Sequence, residues 1–521
     1  MRILILLFLG PLCFGQSFDI LIKNGKIIDG TGNSWYYGDV GIKDGMISAI
    51  GKSLSGATEK TIDAKGLIVA PGFIDVHAHV EGGIMERPQA ENYIYDGVTT
   101  VITGNCGSSA NDLTQFFNSV NELKTSINVA SLYGHNTVRK IVIGESNRKA
   151  TTDEQNRMEE LVKKAMVSGA VGLSTGLIYL PGMYSSTEEI VGLAKAAASM
   201  NGVYASHIRN EENEVIPAIN EAIQIAKEAQ IPVEISHFKV SHKANWGRSK
   251  ETIPLIENAR RQGYDVTIDQ YPYTASSTNL GVRLPDWALS GGQDSLVTRI
   301  NDPMVHKMII AGMLEQLSSY KYTDYSFAVV ANYNSDPTIN GKSISAINLL
   351  KGRKHKAKQE AETILEMMKA GGAQMVYHGM DEADVQAIIK YPFNMIGADA
   401  GVPIPFKSMP HPRAYGTNAR VLARYVREQK LITLEDAVRR MTSLAAQKFH
   451  LKDRGLIKEG MAADLVVFDE DKVKDKATFE KPHQYSEGFH YVIVNGRLEV
   501  EDSKYNGERN GKALMGPGYL K

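Results

Sequence analysis

The sequence predicts an α/β fold: a (β/α)8 TIM-like barrel carrying a small β-sandwich domain built from both chain ends. Three observations predict it. Eight short apolar runs read as strands, ending near His77, Cys106, His135, Gly176, His207, His237, Tyr271 and Asp399. Helical segments lie between them, the alternation that a parallel sheet requires. Polar residues stand at the end of nearly every strand, and in a barrel those ends converge on one mouth, which favours the barrel over a doubly wound sheet.

The helices carry their own signals. Thr152 to Gly169 has polar caps and apolar spacing. Ser186 with Glu189 reads as a capping box, for a helix that stops near Asn201-Gly202. Residues 212–229 and 249–262 are amphipathic. The stretch 290–390 is mixed, with helical runs such as 357–370, and reads as an insertion after the seventh strand that lids the site. Segments 16–70 and 455–510 are dense in strand signals and glycine turns. Phe18-Asp-Ile-Leu-Ile-Lys leads into Asn24-Gly25, Val40-Gly-Ile-Lys into Asp44-Gly45, and Tyr491-Val-Ile-Val into Asn495-Gly496. Such runs predict hairpins. The two ends are expected to pair into one β domain beside a barrel spanning 71–454.

With 521 residues, 43% of them hydrophobic, the chain has ample material for a large core. A formal net charge of −1 gives no reason to expect nucleic acid or an anionic membrane as partner. Met1-Arg2 precedes an apolar run from Ile3 to Leu9, with a small residue at Gly15. That pattern predicts a signal peptide over 1–15, too short to span a bilayer, and hence an exported protein, periplasmic or secreted. Pro11 and Leu12 ahead of Cys13 argue against a lipid anchor, so no stable membrane association is expected after cleavage. Cleavage would leave Cys106 as the only thiol, with no intrachain disulfide possible. A lone thiol in an oxidising compartment needs protection or use.

The chemistry starts at Gly72-Phe-Ile-Asp-Val-His-Ala-His. Residues two apart on a strand point the same way, so His77 and His79 present two imidazoles to one side, a geometry that suits zinc. Cys106 lies in a tight Asn-Cys-Gly loop where a second strand runs out. His207 and His237 each end a strand in Ser-His, at the spacing of successive βα units. Asp399, between small neighbours, is placed to touch a metal and to take a proton from water. Arg209 and Lys239 follow two of these positions by two residues, and a substrate carboxylate would satisfy such cations. Tyr271, Tyr273 and Ser277 are candidate hydrogen-bond donors to that substrate, and Arg283 a candidate contact for its side chain. His135 is read as shaping the site. Each residue alone has a plainer reading, as a core histidine, a buried small hydrophobe, a helix cap or a structural ion pair. Three ligand types at converging strand ends are what argue against coincidence.

Taken together these residues resemble the amidohydrolase superfamily, and more closely its D-aminoacylase (N-acyl-D-amino-acid deacylase) branch. The resemblance covers nearly the whole mature chain. It rests on the His-x-His strand, on Gly97-Val-Thr-Thr-Val-Ile-Thr-Gly-Asn-Cys-Gly, and on Ser206-His-Ile-Arg-Asn-Glu, Ser236-His-Phe-Lys-Val and Ala244-Asn-Trp-Gly-Arg. Tyr271-Pro-Tyr-Thr-Ala, His411-Pro-Arg-Ala-Tyr-Gly-Thr and Gly460-Met-Ala-Ala-Asp-Leu-Val-Val-Phe fit as well. The cysteine loop is the most specific. The resemblance implies a tightly held zinc on Cys106, His207 and His237. It implies a second, weaker position near His77, His79 and Asp399, with Cys106 able to bridge. Asp399 would be the general base, and Lys239 with a tyrosine of the Tyr271-Pro-Tyr273 run would hold the α-carboxylate of an N-acyl-D-amino acid. Other readings are a dipeptidase acting on peptides with a C-terminal D-residue, a cyclic-amide or lactone hydrolase, and an inactive metal-stabilised binding protein. Asp399 argues against the last, since a closed structural zinc needs no base.

Overall fold

A computed structural model describes residues 17–520, so the expected signal segment lies outside the described residues. Eight parallel strands form the central wall. They are Phe73–Asp75, Val98–Thr103, Asn128–Ser131, Gly172–Gly176, Val203–His207, Val233–Ile235, Val266–Gln270 and Asn394–Ile396. The third continues past Leu132 as Tyr133–Gly134, which pairs with the fourth. At the last seam Val76 N donates to Ile396 O at 3.5 Å, and Ala78 bridges Ala400 in parallel. The wall therefore closes into a barrel. Its strands are buried at almost every position, because side chains fill the inside and helices cover the outside.

Ile74, Ile102, Val171, Val203 and Met395 meet Phe449, Leu451 and Leu514 in one of the barrel's cores. Leu514 comes from the C-terminal tail. Val129 N donates to Lys512 O at 3.0 Å and Leu514 N to Val129 O at 2.8 Å, so the tail runs along the third strand. Helix Thr152–Val167 starts from a complete capping box of Thr151 and Glu154. The box expected at Ser186 is half formed. Ser186 accepts from Glu189 N, but the Glu189 carboxylate turns inward to His135, at 2.9 Å, and to Arg139. A buried cation and imidazole compete better for that carboxylate than one exposed backbone N–H. The helix ends at Ala198.

The chain ends share one nine-stranded sheet, joined where Ile68–Pro71 pairs antiparallel with Leu465–Phe468. It wraps a common core of Ile22, Ile42, Ile62, Val69, Leu465 and Ile493. Asp44-Gly45 and Asn495-Gly496 are tight turns with positive φ at both residues, 50° and 79° in the first, 49° and 78° in the second. Asn24-Gly25 is not the expected hairpin turn. It is a bulge inside one continuous strand, Ser17–Ile27, with Asn24 at φ 60° and a register shift between Ile22 and Gly25. Asp39 Oδ1 accepts from Asn24 N at 2.8 Å and so catches the strand before it can reverse.

The excursion between the seventh and eighth barrel strands opens at Ser276–Asn279, ahead of the expected 290. That strand pairs with Gln374–Tyr377, which also pairs with Ala328–Asn332. Four helices, Gly292–Asn301, Pro303–Ser319, Ile344–Leu350 and Ala357–Lys369, pack with this sheet around a separate core that includes Ile309, Met313, Tyr325, Leu365 and Met375. Among the described residues no helix is long and apolar enough to cross a membrane.

Candidate metal centre and active site

Cys106 is the hub. Its Sγ lies 3.3 Å from His77 Nε2, 3.5 Å from His237 Nε2 and 3.6 Å from His207 Nδ1. Asp399 Oδ1 is 3.2 Å from His79 Nε2 and 3.7 Å from His77 Nε2. These side chains leave five strand ends, and three of the residues sit on backbone that L-residues rarely adopt: Cys106 at φ 51°, His237 at φ 36° and Asp399 at φ 50°. The cysteine turn depends on its glycine. A Cβ on Gly107 would stand 2.2 Å from Asn136 Oδ1.

Second partners fix the rings. His77 Nδ1 faces Asp269 Oδ2 at 3.1 Å, and His237 Nδ1 faces Glu211 Oε1 at 2.8 Å. Such contacts decide which ring nitrogen is left to bind. Burial holds His207 and His237 well below the ordinary imidazole range, so both are neutral and keep a lone pair. Burial pushes the Cys106 thiol well up. Burial also works against charge on Asp399, but Arg413 and the imidazoles hold its carboxyl well below the usual range. Imidazoles, a thiol and an ionised carboxylate, with the ligand atoms of each triad within 4.8 Å of one another, form the donor set that suits zinc. Metal coordination is also what would deprotonate a thiol buried this deeply.

A cleft of about 1140 Å³ opens above, with His79, Cys106 and Asp399 on its floor. The residues expected to bind substrate divide there. Ser277 and Arg283 line it, although the Ser277 hydroxyl donates to Met375 O at 2.7 Å and Arg283 pairs with Glu212 at 3.3 Å. Arg209 also lines it, but its guanidinium forks onto Glu221 at 2.8 and 2.9 Å. Lys239 stands behind His237. Its ammonium bonds Glu211 Oε1 at 2.5 Å and His237 O at 2.9 Å, which leaves no free cation for a substrate. Tyr273 packs edge-on against His411 and Phe479, away from the cleft. Tyr271 is buried with an unpartnered hydroxyl, and its ring lies 4.3 Å from the Arg413 guanidinium. His135 is buried against Glu189, outside the cluster.

Arg413 has no role in the sequence reading, yet it lines the cleft. One arm, Nη2, bonds Asp399 Oδ2 at 2.8 Å, while Nη1 is buried with no partner. Its only sequence signal was the segment His411-Pro-Arg. Tyr179 was missed as well. It meets the His207 ring edge at 4.9 Å, and its hydroxyl shares a hydrogen bond of 2.9 Å with Thr278 of the excursion.

The sequence model of the amidohydrolase family matches residues 60–277 and 339–499, well over half the chain. The chain belongs to the amidohydrolase family. The stretch this family model leaves out, 278–338, falls within the excursion over the mouth. This amidohydrolase is 34% identical to the D-aminoacylase of Alcaligenes xylosoxydans xylosoxydans, over 96% of its length and 98% of the relative's. It is also 34% identical to an N-acyl-D-glutamate deacylase of the same organism, over 92% and 93% of the two chains. Among solved structures it resembles the N-acyl-D-glutamate deacylase of Bordetella bronchiseptica, complexed with zinc and a phosphonate that mimics the tetrahedral intermediate. The TM-score is 0.82 at 34% identity, over 96% of this amidohydrolase and all of that chain.

Proposed function

We propose that this amidohydrolase is a zinc-dependent enzyme that cleaves the amide bond of N-acyl-D-amino acids, releasing a carboxylic acid and the free D-amino acid. The observation that carries the reading is the convergence of Cys106, His207 and His237 beside His77, His79 and Asp399. The D-aminoacylase and N-acyl-D-glutamate deacylase relatives support the amide bond and the D hand. Cys106, His207 and His237 would hold the tighter zinc, and His77, His79 and Asp399 a second one, with Cys106 shared. Bound zinc supplies Lewis acidity that polarises the amide carbonyl and acidifies water.

Asp399 is the base. Arg413 ties its Oδ2, which leaves Oδ1 on the side of His79 to accept the proton of water and return it to the departing nitrogen. The free arm of Arg413 and the unpartnered Tyr271 hydroxyl carry the substrate α-carboxylate, the role expected of Lys239. Lys239 instead anchors Glu211, which in turn orients His237. Hydrolysis of N-acetyl-D and N-acetyl-L amino acids and of L,D-dipeptides, on protein of measured zinc content, tests the reading. The N-acetyl-D compounds should turn over fastest. Zinc-loaded protein that hydrolyses no acylated D-residue would sink it.

A further inference from the structure

Three arginines line the cleft, and each already meets a carboxylate. Arg413 lies on Asp399, Arg209 on Glu221 and Arg283 on Glu212. Arg209 gives its other N–H groups to Met183 O at 3.1 Å and Ser185 O at 3.2 Å. The Arg283–Glu212 pair joins the barrel to the excursion. Glu212 and His242 stand in the loops after the fifth and sixth barrel strands, while Arg283 and Tyr320 come from the excursion. Arg283 Nη2 donates to Glu212 Oε1 at 3.3 Å, and His242 Nε2 lies 3.0 Å from the same oxygen. The Tyr320 hydroxyl donates to Glu212 Oε2. The His242 ring stacks on Tyr320 at 4.0 Å, and the Arg283 guanidinium lies 5.0 Å from the Tyr377 ring. Arg283 is only 4% exposed, yet its Nε has no partner.

An ion pair presents no net charge to a substrate. A carboxylate that approaches Arg283 must also approach Glu212, and like charges brought together in a cleft repel strongly. Asp286 lines the same cleft and, among the described residues, makes no ion pair, which adds negative charge there. We propose that Glu212 is a specificity-determining residue: it cancels Arg283 and so limits the cleft to N-acyl-D-amino acids with a single carboxylate, whose side chain and acyl group carry no negative charge. The single carboxylate is the one that the free arm of Arg413 can take. Without the Glu212 charge, Arg283 and its unpartnered Nε become a second anion site in the same cleft. The substrate class rests on the proposed amide hydrolysis; the masking of Arg283 does not.

The test gives zinc-loaded full-length protein N-acetyl-D-methionine, N-acetyl-D-glutamate and N-succinyl-D-methionine. Wild type should favour the first over both dicarboxylates by about tenfold or more in kcat/KM. Glu212→Gln keeps the hydrogen bonds and loses the charge. It should raise the better dicarboxylate, relative to N-acetyl-D-methionine, by about tenfold or more, the worth of one charge-assisted hydrogen bond. Arg283→Gln leaves Glu212 without its cation and should move the same ratio the other way, so it carries the test even where Glu212→Gln does not fold. A loosened wall would move both variants in one direction. A wild type that cleaves either dicarboxylate as fast as N-acetyl-D-methionine overturns the proposal, and so do variants whose ratios stay put or shift together. Calorimetric binding of the same compounds to metal-stripped protein reads the ranking without turnover. The expected ranking with no cleavage by zinc-loaded wild type would sink the proposed function and leave the role of Glu212 standing. No cleavage together with equal or absent binding would overturn both.

Discussion

Arg413 uses one guanidinium for two tasks. Its Nη2 holds Asp399 Oδ2, and its Nη1 is buried and free, so a planar fork can join the carboxylate of the proposed base to an incoming one. A lysine keeps the charge and loses the fork. Arg413→Lys should therefore raise KM for an N-acetyl-D-amino acid by about tenfold or more, the worth of one charge-assisted hydrogen bond. Steady-state kinetics checks this, and an unchanged KM removes Arg413 from substrate binding. The cluster proposed to hold metal was legible in the sequence because polar residues brought together at strand ends follow from strand period and barrel topology. The cations were not. Two residues past His207 and His237 stand Arg209 and Lys239, and sequence spacing hides the partners that occupy them. Glu221 lies one helix away, and Glu211 reaches Lys239 from the loop after a different strand.

At the scale of elements, turn chemistry was read correctly where nothing competed with it. Asp44-Gly45 and Asn495-Gly496 reverse the chain. Asn24-Gly25 has the same dipeptide chemistry, but Asp39 and the neighbouring strands keep its strand running straight. The tail gives a prediction of its own. Glu499, in the strand Arg497–Glu501, accepts from Asn510 N at 2.7 Å and from Asn510 Nδ2 at 2.9 Å, and so ties down the segment that runs to Leu514. Burial pushes its carboxyl from 4.5 up to about 8, against the pull of the Asn510 and Ser126 donors. An acid whose folded pKa is raised stabilises while protonated. Its contribution is complete below the unfolded value and is lost as the pH rises through the folded one. Melting temperature should therefore fall across that window in wild type. It should fall less in Glu499→Gln, which is neutral throughout, and equal slopes would exclude Glu499 as the cause.

Over the whole molecule, the barrel mouth gathers the proposed ligands from five strand ends, and the excursion closes over them through contacts such as Tyr179 with Thr278. The barrel was legible because eight apolar runs alternate with helices. The start of the excursion was not, because Ser276–Asn279 is a polar, half-exposed strand with no apolar signature. The central claim is that this mouth hydrolyses amides with zinc held by the cluster and Asp399 as base. Its most direct test is zinc returned stepwise to metal-stripped protein while hydrolysis of an N-acetyl-D-amino acid is followed, in wild type and in Asp399→Asn. Activity should rise with bound zinc in wild type and stay near zero in Asp399→Asn at equal occupancy of the Cys106–His207–His237 position. Turnover by metal-free protein, or by Asp399→Asn at the wild-type rate, would contradict it.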